Sequence, residues 1–599
     1  MKLQKNFFFL FATLIFILAV FFSAACVIGR LGDGQEYPYY LKGLSVLIFL
    51  GLALLIILFG MLWSRFDIRK RLLALPVPGL IAESLCAALF LITGLILRVW
   101  VIKNFPMAPE SDYRTYYELA DLISRGTLLT DGPGYCDYVS MFPHVFGYPA
   151  VLSVVFSIFG TSVTAALVFN LLCSMGGCVL IWRIVRNLSG RVSALFALLL
   201  AVLWPSQILY SSFVASEPLF TFLLLLAIQL FVMSLKETPY KEAHPWTCTI
   251  ELVLFGFVLA FGSFVRPMAM ILLVASLICM ISGEKILPAK PKNDLPLGAR
   301  ASDKGWKRCL TVLAVYMLCN TLFSSAASYA VDRELAGGSS SFGYNLLVGL
   351  NLECFGGWNQ DDADYLYAAL DRTGSATEAQ LACRDMALQR LKVDPRALLD
   401  LFVHKFEVLW GNDDYGSSWN ILFMDQQGNL TPERSTFLYR MMDVSDLFYL
   451  FVLLLAGIGG CIMLWKAPDG SYACTLLFCG TVALHLMVEN QNRYHYHGLS
   501  ILAIVAGTTI GHVLHASYRF FMYKQAEKDR IDNEKATRKA QVEKQKEAEA
   551  EIIDMRAKAL HAQFDMGSAL KEGHIKIIAS QAVADTENKQ GKEEKKGDN

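Results

Sequence analysis

Ile96–Ile123 reads ILRVWVIKNFPMAPESDYRTYYELADLI. An apolar run, residues 76–101, ends inside it, and the first sizeable polar loop begins. A run of that length is enough to cross a bilayer as a helix, which takes about 20 residues. Two carboxylates, an arginine and three tyrosines then follow within Pro109–Tyr117, at what should be a membrane surface.

The same pattern recurs outward in both directions. Apolar spans are expected at about 7–29, 43–63, 76–101, 162–182, 192–210, 217–235, 250–265, 267–282, 309–330, 446–465, 472–489 and 498–517. The 599 residues are 55% hydrophobic and only 18% charged, where a soluble protein carries about 25% charge. Mean hydropathy is +0.42. The runs are continuous rather than alternating, which argues against a β-barrel. The fold expected is therefore an all-α polytopic membrane protein of about 12 transmembrane helices. The formal net charge is zero, and the basic clusters lie where membrane topology explains them, so no nucleic-acid partner is implied.

Lysine and arginine in short loops orient the spans. Loop 64–71 (SRFDIRKR) is the clearest basic loop and is placed in the cytoplasm. The next span then exits, which puts the Asp112 loop outside. Arg183, Arg186 and Arg191 should lie inside, as should loop 283–308 with its seven basic residues. That requires Phe142–Gly160, which holds two prolines and two glycines, to lie on or dip into the outer surface rather than cross. Spans 250–265 and 267–282 meet at Arg266-Pro267, as a hairpin or one broken helix; parity favours the hairpin.

The divisions that follow are 1–75, two N-terminal spans; 76–330, a core with outer loop 102–161; 331–445, a small mixed extracytoplasmic domain; 446–523, the C-terminal spans; and 524–599, a charged cytoplasmic tail. Helical patterns run over 376–391 and 395–409 within the outer domain. The tail pairs Glu543 with Lys546 and Asp554 with Lys558, which predicts a solvated helix to about Gly567. Its end, ENKQGKEEKKGDN, has the composition of a disordered segment. The tail reads as a spacer or a partner-binding helix. At the N-terminus, Lys2 and Lys5 precede an apolar run ending Ser-Ala-Ala-Cys at Cys26. An uncleaved anchor helix is expected, with cleavage before Cys26 as the alternative. Most of the 14 cysteines fall in apolar segments and none forms a CxxC pair, so no metal site is expected from them. Cys354 and Cys383 share one polar region and could pair.

The residues able to carry chemistry cluster at outer span ends. Asp112 and Glu110 are candidate bases, and also serve as ordinary acids before a helix. Arg266 and Arg493 are candidate cations for an anionic group; both could instead snorkel to lipid headgroups. Arg98 and Lys103 read as span-end residues. Glu217, in Ser216-Glu217-Pro218, suits either a site or a helix N-terminus. His485 reads as a core histidine, His144 as a surface residue of the dipping segment, and His495 with His497 as too weak a pair for a metal. A sugar on a polyprenyl phosphate already has a good leaving group, so its transfer needs a base for the acceptor hydroxyl and cations for the departing phosphate. A carboxylate and arginines supply both.

Five segments, SDYRTYYELADLI, GYPAVLSVVFSIFG, ALLLAVLWPSQILYSSFVASEPLF, GFVLAFGSFVRPMAMILL and ENQNRYHYHGLSILAI, follow one another in the order and spacing of a known group. Over about 76–282 and 446–517 the chain resembles the GT-C superfamily of membrane glycosyltransferases, of the bacterial protein O-mannosyltransferase and aminoarabinose lipid A transferase type (glycosyltransferase families 39 and 83). The resemblance implies inverting transfer from a polyprenyl-phosphate sugar donor to a glycan, lipid or protein acceptor outside the cytoplasm, at the cytoplasmic membrane. It assigns the catalytic acid position of the first outer loop to Asp112. Where relatives carry Asp-Glu, this chain has Asp112-Tyr113, with Glu110 upstream. Arg266-Pro267 and Arg493-Tyr494 match the positions facing the lipid phosphate, and Glu217 and Tyr113 fall in the substrate site. No metal or other cofactor is implied. YNLLVGLNLECFGGWNQDD is similar to outer regions of Gram-positive members, which points to a cell-wall or surface-glycan acceptor. The competing readings are a transporter or lipid flippase, and a lipid-linked oligosaccharide polymerase or ligase. The first should place charges at mid-depth and repeat broken helices in two halves, and neither pattern is evident.

Overall fold

The computed structural model describes residues 7–33, 79–235, 244, 246–281, 302–337, 342–465 and 471–569. Among these residues the regular structure is helical, with no strand. Eight helices are long and apolar enough to cross a membrane, or nine if Arg191–Val202 and Pro205–Ser212, bent by 50°, form one span. The protein is an all-α, multi-pass membrane protein. The described residues fall short of the expected twelve spans. Run 43–63 and loop 64–71 lie outside them. Runs 267–282 and 472–489 fold as the shorter helices Ala269–Ile281 and Tyr472–Met487. At 1.5 Å per residue the first covers roughly 20 Å, less than the bilayer's apolar thickness of about 30 Å.

Local chemistry explains where the helices break. Pro205 cannot continue the Arg191–Val202 helix, which leaves carbonyls at its end without helical partners. Arg98, fully buried in helix Gly79–Asn104, donates to Val202 O at 3.0 Å and Ala201 O at 3.4 Å, and to Ser174 Oγ at 3.1 Å. Read from the sequence as a span-end residue, Arg98 instead caps a broken helix. Near the start of the same helix, buried Glu83 pairs with Arg186 at 2.7 Å and Arg191 at 3.3 Å. The Arg186–Arg191 turn therefore lies at the end of this helix opposite Asp112.

The first helix, Phe7–Asp33, is a packed core element. Phe16 meets Phe478 edge-on at 5.3 Å, and Phe9 meets Tyr472 at 4.8 Å. Near its C-terminus Arg30 pairs with Asp414, and with Asp446 at 3.6 Å.

The segment 331–445 departs from the mixed domain expected. Its described residues form helices only: Gly343–Gly349, Gln360–Thr373, Ala376–Arg390, Pro395–Trp410, Tyr415–Gln426 and the start of Pro432–Met463. Side chains of Asn359, Ser375, Asp394 and Thr431 each accept a backbone N–H at a helix start, the local signal for a helix rather than a strand. Two glycines of the segment are close packing contacts. A Cβ at Gly343 would overlap the Gln380 carbonyl, and one at Gly349 the Met487 carbonyl. The segment thus packs directly on the span-bearing helices, within one compact unit of residues 1–517. Cys354 is exposed, Cys383 is buried, and both are free, so the pairing considered from the sequence does not form.

The second unit, Tyr518–Asn599, is helical to Ala569 with its described side chains exposed. Lys558 pairs with Asp554 at 2.8 Å, the i, i+4 spacing of a solvated helix. The final low-complexity stretch lies outside the described residues.

Candidate active site

Seven residues separate helix Gly79–Asn104 from helix Asp112–Arg125, in a turn holding Pro106 and Pro109. Ser111 closes that turn at φ 52°, a left-handed value unusual for a residue with a Cβ. Its side chain makes no capping hydrogen bond. Asp112 is thereby set at the first helical position with its side chain 42% exposed.

Arg493 meets Asp112 from 381 residues away. It sits in the short turn Asn492–His495 between helices Ser471–Met487 and Tyr496–Ala569. Its guanidinium is 4% exposed and forms an ion pair with the Asp112 carboxylate. Nε donates to Gln491 Oε1 at 2.8 Å. Aromatic faces bracket it, Trp419 at 4.9 Å and Tyr113 at 5.0 Å, with Tyr494 at 5.7 Å. Such faces attract a cation and fix its plane.

Arg266 occupies the break between helices Trp246–Val265 and Ala269–Ile281, where Pro267 interrupts the backbone ladder. It pairs with Glu217 at 2.5 Å and donates to Ser216 Oγ at 3.0 Å. It also lies over Tyr494, at 5.8 Å. Glu217 Oε2 is buried without a partner. Tyr494 thus stands between the two arginines.

A cavity of about 950 Å³ opens on this group. Asp112, Tyr116, Arg266, Arg493 and Tyr494 line it. Glu217 and Tyr113 do not, and stand behind the arginines as their partners. Tyr113 is buried and bonds Tyr210 through the two hydroxyls at 2.9 Å. Glu110 lies elsewhere, in a small separate crevice with Met107 and Phe423.

Besides Asp112 the cavity wall carries two carboxylates, Asp131 and Glu489, neither singled out by sequence reasoning; Glu489 is the one that feels the Asp112 charge. It lies in the turn past Met487. Burial, then the nearby Asp112 charge, push its carboxyl up to about 6, against the pull of Arg493. The turn is anchored from below. Buried Lys405 donates to Gly349 O at 2.7 Å, Leu486 O at 2.8 Å and Val488 O at 2.7 Å. Glu489 N donates to Asn345 O at 2.9 Å. The signal for Glu489 was its place at the head of ENQNRYHYH, a polar run between two apolar ones.

The histidines divide. His144 and His485 line the cavity, and His485 Nδ1 meets Thr481 O at 2.9 Å. His495 is fully buried with its Nε2 3.1 Å from Asp413, whose carboxylate also accepts from Trp204 at 2.7 Å and Ser206 at 2.8 Å. Among the described residues no group of three or more histidine, cysteine or acidic side chains gathers closely enough to hold a metal ion.

Residues 143–296 match the family model described as dolichyl-phosphate-mannose-protein mannosyltransferase, consistent with the resemblance to GT-C glycosyltransferases. The match covers Arg266 and Glu217 and leaves out Asp112 and Arg493. Among solved structures, the chain is similar to an Archaeoglobus fulgidus oligosaccharyltransferase in complex with zinc and sulfate, at 13% identity and a TM-score of 0.39, over 73% of this chain and 51% of that one. It is similar to ArnT from Cupriavidus metallidurans in the apo state at 11% identity and a TM-score of 0.33, over 73% and 78%. The undecaprenyl-phosphate complex of ArnT gives 11%, 0.29, 72% and 77%. The chain thus spans about half the length of the oligosaccharyltransferase. No curated protein matches it in sequence.

Proposed function

We propose that this protein is a membrane glycosyltransferase that moves a sugar from a polyprenyl-phosphate donor to an acceptor hydroxyl, with inversion, on the outer face of the cytoplasmic membrane. The observation that carries the reading is the Asp112–Arg493 pair. One partner is buried and held between aromatic rings, the other is half-exposed in a large cavity, and Arg266 lines the same wall.

The donor phosphate binds at Arg493 and Arg266, where charge-assisted hydrogen bonds are strongest because water is excluded. Arg493 then turns part of its fork from Asp112 to the phosphate, which frees the carboxylate. The acceptor oxygen attacks the anomeric carbon, the bond from that carbon to the phosphate oxygen breaks, and Asp112 takes the hydroxyl proton. The polyprenyl phosphate leaves as an anion against the arginines and needs no general acid. Glu217 and Tyr113 hold the arginines in place, and Tyr494 spaces them. Glu110 is too far round the turn for this role, so Asp112 acts as the base. The outer-face placement draws support from the Arg186–Arg191 turn at the opposite end of helix Gly79–Asn104, following the positive-inside tendency.

The test is sugar transfer by the purified protein in liposomes, with synthetic polyprenyl-phosphate hexoses and pentoses as donors. Turnover with one of them is the expected result. Binding without turnover of any single-sugar donor, alongside turnover of a lipid-linked oligosaccharide, would move the protein to the polymerase or ligase class. Movement of the lipid across the bilayer with no transfer would make it a flippase.

A further inference from the structure

The cavity has two unlike walls. One carries Asp112, Arg266, Arg493 and Glu489. The other comes from residues 342–367, and none of its described lining residues is charged. Instead it presents Tyr344, Trp358 and Tyr367 with the amides of Asn345 and Gln360. Trp358 is 56% exposed and Tyr367 46%.

The backbone that presents Trp358 is tightly built. Phe355 adopts φ 50° and Gly356 φ 75°, a left-handed pair that turns the chain back just before the tryptophan. Holding a phenylalanine in that region is unfavourable and persists only where the surrounding structure fixes it. Asp362, 3% exposed, ties the turn down. It accepts from Arg390 at 2.6 and 2.9 Å, from Asn351 at 3.0 Å and from Asn359 at 2.8 Å. Asn351 in turn accepts from the Glu353 and Cys354 amides at 3.0 and 3.3 Å. Trp358 and Tyr344 lie beside one another on this wall. Tyr344 is itself braced edge-on by Phe142 at 5.4 Å. Gln360 and Tyr367 lie seven residues apart on helix Gln360–Thr373, so both fall on its cavity side. A rigid scaffold that leaves a large ring face uncovered inside a cavity is arranged for something to cover it.

We infer that Trp358, Tyr344 and Tyr367 form the acceptor platform of the site, and that the acceptor is a neutral saccharide. This rests on the transfer reading above. The C–H faces of a pyranose ring stack on aromatic rings, and its hydroxyls exchange hydrogen bonds with amides such as Asn345 and Gln360. A phosphorylated or otherwise anionic acceptor would call for a lysine or arginine on this wall, and the lining residues supply none. The division of charge also sorts the two substrates: the donor phosphate goes to the arginine wall and the acceptor ring to the aromatic one. The acceptor hydroxyl is then delivered across the cavity toward Asp112.

The test is direct binding by the full-length protein in nanodiscs, without donor. Titration calorimetry would use chitotetraose, cellotetraose and maltotetraose, with a Ser/Thr-rich peptide as the contrasting class. At least one saccharide should bind. Trp358→Ala should weaken that binding about tenfold, the scale of one lost stacking contact, while Trp358→Phe restores most of it. Trp358 is largely exposed, so its removal should leave the unfolding temperature unchanged, and that measurement separates lost recognition from lost structure. Equal binding by wild type and Trp358→Ala, saccharide binding by neither, or binding of the peptide alone would each overturn the inference. None of these readouts requires turnover. A failed transfer assay with saccharide binding intact sinks the transfer reading, and transfer to a peptide without saccharide binding sinks only the platform.

Discussion

Asp112 and Asp362 are the same residue in nearly the same local setting. Each stands in the first turn of a helix and each is paired with an arginine. Their surroundings differ in what is left over. Asp362 receives four side-chain hydrogen bonds, from Arg390 twice, Asn351 and Asn359, and its own amide donates to the Asn359 side chain that caps the helix. Its carboxyl is held below the ordinary range by those donors, Arg390 foremost, against the cost of burial. Asp112 has one arginine, a half-exposed side chain and an open cavity in front of it. A carboxylate whose lone pairs are all used holds the fold. One whose partner is rigid while its own oxygens remain partly free can take a proton. The contrast separates architecture from chemistry where residue type and helix position cannot.

The sharpest way to break this contrast is Asp112→Asn. The amide keeps the shape and cannot act as a base, so transfer should fall about 10³-fold with folding unchanged. Retained activity would return Asp112 to the structural class and send the search for the base to Glu489. Asp362→Ala should do the reverse. It leaves the Arg390 guanidinium, 27% exposed, without its anion, at a cost of about 3 kcal/mol, seen as a lower unfolding temperature in detergent. A variant that unfolds like wild type would show that the four donors add little.

Arg493→Lys asks whether rigidity of the partner matters. Lysine keeps the charge but loses the planar fork held between Tyr113 and Trp419. Loss of one charge-assisted bond, about 1.5 kcal/mol, should reduce transfer about tenfold. An unchanged rate would mean that charge alone suffices.

At Glu489 the expected effect falls on stability and only at the upper end of the pH range. In the folded chain its carboxyl holds a proton to about pH 6, against an ordinary 4.5. The folded state therefore binds more protons than the unfolded chain across that window, and stability falls as pH rises through it. Glu489→Gln removes the cost of ionising in place. Relative to wild type it should gain roughly 2 kcal/mol at pH 7 and almost nothing at pH 4. Unfolding curves collected across that range check the sign; a gain that does not depend on pH would show that the carboxyl is not the source.

Much of this molecule was legible in the chain alone, because the signals are local. An apolar run long enough for a bilayer announces itself residue by residue, and so do the break at Arg266-Pro267 and the helix opening at Asp112. The tail's i, i+4 charge pairs were equally readable. The rest depends on directions and on partners far apart in sequence. Ser111 at φ 52° sends Asp112 into the cavity and leaves Glu110 outside it, a choice that two acids two residues apart do not reveal. Arg493 reaches Asp112 across 381 positions, Glu489 enters the same wall from its turn, and Gly349 packs against the Met487 carbonyl. Hydrophobic length is a property of a segment, so sequence carries it whole. The protonation, exposure and remaining lone pairs of a carboxylate are properties of its neighbours, and those are assembled only when the chain has folded.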